Sequence, residues 1–119
     1  MSILVYAESW DGKFRKSTLE AVSYAKKTAS IYKTDVKAIS FGKIEESELS
    51  LLAEYGVNKI ISYPKILKND GKSVASSIEK ESEGVEMVIF SNTFNAKMIA
   101  PRISSKLNAG IITNVISYI

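Results

Sequence analysis

The sequence predicts an α/β fold, a three-layer Rossmann-like parallel sheet with helices on both faces. Three observations predict it. Short apolar runs alternate with segments of helical spacing through all 119 residues, the pattern of repeated strand–helix–strand units. Runs such as Ile3–Ala7 and Met87–Phe90 are continuously apolar, as strands buried on both faces require. Each connection is long enough for a helix, which parallel pairing demands.

The first strand is Ile3–Ala7, followed by the turn signal Asp11-Gly12. Ser17-Thr18-Leu19-Glu20 matches a capping box, so a helix is expected to start at Ser17 with Glu20 reaching back. Val22, Ala25, Ala29 and Tyr32 then recur at spacings of three and four and form its buried stripe, with Lys26, Lys27 and Lys33 outward or at its end. Val36–Phe41 is the second strand, closed by Gly42. Glu45, Glu46 and Glu48 sit where a helix start favours acids, ahead of Leu49, Leu52 and Ala53, and Gly56 suits the left-handed position after that helix. Lys59–Tyr63 is the third strand, ended by Pro64. Asp70 or Ser73 caps a third helix on Val74 and Ile78, closed by Gly84.

Met87–Phe90 is the fourth strand, and Ser91-Asn92-Thr93 puts polar atoms at its carboxyl end, where open α/β sheets bind ligands or partners. Pro101 is poorly tolerated beyond a first helical turn, so the next helix is expected to begin near Ala100, with Arg102 in its first turn. A cation there calls for an acidic or carbonyl partner. Gly110–Ile119 is a β-prone run with no closing helix, expected to pair within the sheet or with another chain.

With 45% hydrophobic residues the chain supports one core, so residues 1–119 are read as one domain. No apolar run spans a bilayer and no signal segment opens the chain, so a cytoplasmic protein without membrane insertion is expected. The absence of cysteine and histidine removes thiolate chemistry and the commonest neutral-pH base and metal ligand. The net charge of +3 is spread along the chain, with small clusters at Lys13, Arg15 and Lys16 and at Lys65, Lys68 and Lys72, and nucleic-acid binding is not expected.

Several motifs resolve into plain structural readings. Gly12–Thr18 ends in Lys-Ser-Thr like a phosphate loop, but Trp10 stands where an earlier glycine is needed, and a Ser17 helix cap explains the residues. The loop Ser91–Asn95 offers hydroxyls and amides to an anion or, more simply, caps the next helix through Thr93 or Asn95. Glu79, Glu81, Glu83 and Glu86 lack metal-loop spacing and read as a solvated face. Trp10, the sole tryptophan, packs locally or anchors a partner. No residue is nominated as catalytic or as a metal ligand.

The opening Ile3–Glu8, the serine-containing loop after the fourth strand, the segment Ala100-Pro101-Arg102-Ile103 and the run Ile111–Val115 together resemble the amino-terminal domain of the electron transfer flavoprotein alpha subunit. The resemblance implies strand order 3-2-1-4-5, adenine nucleotide alpha hydrolase-like, which brings Glu8 within reach of Arg102. It implies a heterodimer with an AMP-binding beta subunit, electron transfer from flavin dehydrogenases, and an FAD housed in a carboxyl-terminal domain outside these residues. The interface or crevice candidates are then Glu8, Trp10, Ser91, Asn92, Thr93 and Arg102. Universal stress proteins share the layout, which leaves a stand-alone adenine-nucleotide sensor as the alternative, although no glycine lies between Glu86 and Ala109. A pyrophosphatase-type enzyme would need a Ser-Gly-Gly loop that Ala7-Glu8-Ser9-Trp10 does not supply.

Overall fold

A computed structural model describes residues 2–67, 69–82, 85–91 and 110–115. In chain order these form β1 (Ser2–Tyr6), β2 (Ser9–Trp10), β3 (Lys13–Phe14), α1 (Lys16–Tyr32), β4 (Asp35–Phe41), α2 (Glu46–Glu54), β5 (Lys59–Tyr63), α3 (Gly71–Glu81), β6 (Val85–Ser91) and β7 (Gly110–Val115). Five strands make one sheet in the order β5-β4-β1-β6-β7, with parallel pairing throughout. The remaining two, β2 and β3, form a separate antiparallel hairpin. Counted over all described strands the order is 5-4-1-6-7. The expected label, order 3-2-1-4-5 and adenine nucleotide alpha hydrolase-like, is corrected: it counted five strands, whereas the segment after β1 folds out of the sheet as a hairpin.

Side chains alternate across the sheet with the two-residue period of a strand. Ile3, Val5 and Ala7 join Val36 and Ala38 against Ala21, Val22, Ala25 and Ala29 of α1 and Leu52 of α2. Leu4, Tyr6, Ile39 and Phe41 face the other way, against Val74, Ala75 and Ile78 of α3. Two apolar layers therefore sandwich the sheet. Small residues on α1 let its backbone lie close to the strands.

The start of α1 departs from the capping box. Arg15, delivered in extended conformation by β3, is the cap residue, and its carbonyl accepts the N–H groups of Thr18 at 3.0 Å and Leu19 at 3.1 Å. Ser17 already lies inside the helix, because the chain can coil as soon as it leaves the hairpin. The buried stripe stops at Ala29; Tyr32 is 58% exposed, since the chain reverses directly after it. Lys33 takes the left-handed conformation at φ 54°. Its N–H donates to Ser30 O, and the Thr34 N–H to Ala29 O, which satisfies carbonyls at the helix end without a glycine.

Elsewhere the local signals and the structure coincide. Glu46 and Glu48 occupy the first turn of α2, and Gly56 follows it at φ 97°. In that helix only Leu52 is buried, while Ala53 is exposed. Of the two candidate caps for α3 the structure selects Asp70, whose carboxylate accepts from the Ser73 N–H at 3.4 Å and the Ser73 hydroxyl at 2.8 Å. Gly84 and the expected helix around Pro101 lie outside the described residues.

Candidate functional site

β1 lies between β4 and β6, with β4 and β5 on one flank and β6 and β7 on the other, so the strand order reverses between β1 and β6. Their carboxyl ends bound the crevice where such sheets bind ligands. The backbone beyond β1 is held by short bonds. Ala7 donates its N–H to Ile39 O at 2.8 Å, and its carbonyl accepts from the buried Ser40 hydroxyl at 2.6 Å. The Glu8 carbonyl accepts from the Thr18 hydroxyl at 2.6 Å, and Glu8 is only 2% exposed.

The chain then reverses through Asp11 (φ 51°) and Gly12 (φ 80°). Two consecutive positive φ values at Asp-Gly are the chemistry of a tight two-residue hairpin. The hairpin folds back on the loop after β4: Glu45 N–H donates to Gly12 O at 3.1 Å and Phe14 N–H to Glu48 Oε1 at 2.8 Å. Trp10 carries the Arg15 guanidinium 4.2 Å above its ring centroid. This docked hairpin escaped the sequence reading, although Asp11-Gly12 was its signal. Between the hairpin and the end of β4 is a cleft of about 400 Å³, walled by Ser9, Asp11, Gly12, Phe41, Lys43 and Leu67.

A row of rings, sharing Phe41 with this cleft, crosses four strands. Tyr63 of β5 stacks on Phe41 of β4 at 5.6 Å, and Tyr6 of β1 meets Phe41 and Phe90 edge-on at 5.7 and 6.0 Å. Burial, with the Glu8 charge adding to it, pushes the Tyr6 phenol above its ordinary range. Tyr63 is raised as well, first through the hydrogen bond it donates to Glu81 Oε2 at 2.7 Å.

Of the sequence candidates, Glu8 and Trp10 both fall in the segment that closes over the end of β1. The backbone of Ser91 ends β6, the strand beside β1, and pairs with Val115 of β7. Asn92, Thr93 and Arg102 lie outside the described residues, and with them the expected pairing of Glu8 with Arg102. Among the described residues no three His, Cys, Asp or Glu side chains are grouped to hold a metal ion. No described helix is long and apolar enough to cross a membrane.

Solved structures similar to this chain include the universal stress protein of Archaeoglobus fulgidus, alone (TM-score 0.55, 12% identity, 95% of this chain and 92% of that one) and in complex with dAMP (TM-score 0.54, 14% identity, 95% and 96%). They establish a Rossmann-like α/β fold of the universal stress protein type, in place of the expected adenine nucleotide alpha hydrolase-like one. In sequence the chain is similar to the electron transfer flavoprotein subunit alpha of Syntrophomonas wolfei subsp. wolfei, at 33% identity over 116 residues, and to that of Bacillus subtilis, at 27% over 118. These alignments cover 94% and 96% of this chain but only 35% and 36% of those subunits, so the chain spans about a third of their length. A sequence profile described as "Electron transfer flavoprotein domain" matches residues 3–119, and the chain belongs to that family.

Proposed function

We propose that this domain is the amino-terminal part of an electron transfer flavoprotein alpha subunit, serving as scaffold and subunit-docking surface while the flavin is held elsewhere. The observation that carries this reading is the family match over residues 3–119, joined to alpha subunits about three times as long as the matched region. Two backbone donors of the described crevice are engaged within the chain, Gly42 N–H to Tyr63 O at 3.0 Å and Glu45 N–H to Gly12 O at 3.1 Å. FAD supplies redox chemistry when bound to a complete subunit; these residues supply shape and contacts. Dehydrogenases and an AMP-binding beta subunit are the proposed partners, with Glu8, Trp10, Ser91, Asn92, Thr93 and Arg102 as interface candidates. The test is co-purification with a beta subunit. A colourless chain that forms a one-to-one complex is expected, and flavin bound stoichiometrically to this chain alone would overturn the reading.

A second reading, an adenine-nucleotide sensor, is favoured by the likeness in fold to universal stress proteins, one of them solved with dAMP, and by the cleft beside Gly12 and Lys43. The fold comparison backs this reading more directly than it backs electron transfer. Calorimetric titration with AMP and ATP separates the two. Micromolar binding supports the sensor, and no heat up to millimolar nucleotide supports the scaffold.

A further inference from the structure

Along α1, sharing no lining residue with the cleft beside the hairpin, a half-open groove of about 530 Å³ runs between the helix and Tyr55, the residue that ends α2. Leu19, Tyr24 and Tyr55 form its apolar floor. The first two also pack on the core below, and Tyr55, 37% exposed, is fixed through its N–H to the carbonyls of Leu51 and Leu52. Lys16 and Lys27 stand at the two ends, three helical turns apart, roughly 16 Å by helical rise. The stem of Lys26 adds a third cation nearby, lying so close over Gly56 that a Cβ there would meet it at 2.8 Å. Glu20 is the single acid in the lining. Ile31, 72% exposed, continues the same helical face one turn further.

We propose that this groove docks an amphipathic helix of a partner protein, with carboxylates about three turns apart flanking apolar residues. Charge complementarity selects that occupant: ammonium groups at both ends call for acids at matching separation, and the aromatic floor takes the apolar side chains between them. Tyrosines of this kind carry much of the energy of protein interfaces. An open trough along a helix suits a rod-shaped segment better than a small ligand, which needs enclosure on most sides. The inference is independent of the flavoprotein reading.

The test is fluorescence anisotropy with a labelled synthetic helix bearing two Glu residues three turns apart and Leu between them. Saturable binding that weakens with added salt is expected. Lys16→Glu combined with Lys27→Glu should weaken it at least tenfold, and a probe with Lys in place of Glu should recover binding to that variant. Both substituted lysines are exposed, so an unchanged melting temperature verifies that the variant folds. Equal affinity of the original probe for both proteins would overturn the proposal. So would self-association of the chain, by sedimentation, that the same two substitutions abolish, because the face would then belong to a second copy.

Discussion

Ser40→Ala tests how the segment after β1 is held. The Ser40 hydroxyl donates at 2.6 Å to the carbonyl of Ala7, and both residues are fully buried. Removing the donor leaves a buried carbonyl without it, a loss of about 1–3 kcal/mol. At roughly 2.1 cal/mol/K of unfolding entropy per residue, 119 residues give about 0.25 kcal/mol/K, so each kcal/mol lowers Tm by about 4 °C. The expected fall is therefore about 4–12 °C, read by circular dichroism. Trp10, the sole tryptophan, lies just beyond in the hairpin, so its emission should shift as the segment loosens. Ser30→Ala is the control. Ser30 is exposed and its hydroxyl donates to Lys26 O within α1, so alanine there should leave Tm unchanged or raise it by a degree or two. A Ser40→Ala protein within about 1 °C of the parent, with unchanged Trp10 emission, would refute the claim that this bond fixes the hairpin.

Gly12→Ala and Gly42→Ala should differ in urea denaturation. Both positions have positive φ, costing about 1 kcal/mol for any side chain, but a Cβ at Gly12 also meets Lys43 O at 3.2 Å while Gly42 has open space. Gly12→Ala is expected to be the more destabilising by about 1 kcal/mol, and the reverse ranking would contradict the hairpin packing. Tyr6 and Tyr63 both hold their protons above the ordinary tyrosine value of 10.0. Since the unfolded chain releases those protons first, the contribution of these two phenols to stability should be fully present below pH 10 and be lost as the pH rises above it. Tyr6→Phe should flatten that alkaline decline, and an unchanged slope would remove Tyr6 as its source.

Much of this architecture was legible because its signals are local. The acids of α2, Gly56 past its end, Asp70 ahead of α3 and the apolar runs of the strands act through neighbouring backbone, where a few residues suffice to decide conformation. Signals failed where a distant segment competed. Ser17 has the residues of a cap box, but the hairpin sets the entry of the helix at Arg15. Tyr32 has the spacing of the buried stripe, yet the reversal at Lys33 ends it. Asp11-Gly12 announced a turn, while the docking of that turn against Glu45 and Glu48 depends on residues more than thirty positions away.

An α/β chain of alternating strands and helices, without the cysteine or histidine that most readily serve catalysis, follows from periodicity and residue chemistry, which require no knowledge of what lies across the sheet. Which groups meet emerges from the folded chain. The burial of Glu8, the row of rings from Tyr63 to Phe90, and the groove lined jointly by Tyr55 and α1 all involve residues from separate elements. Such contacts are fixed by strand order and register, which bring together side chains that no local pattern relates.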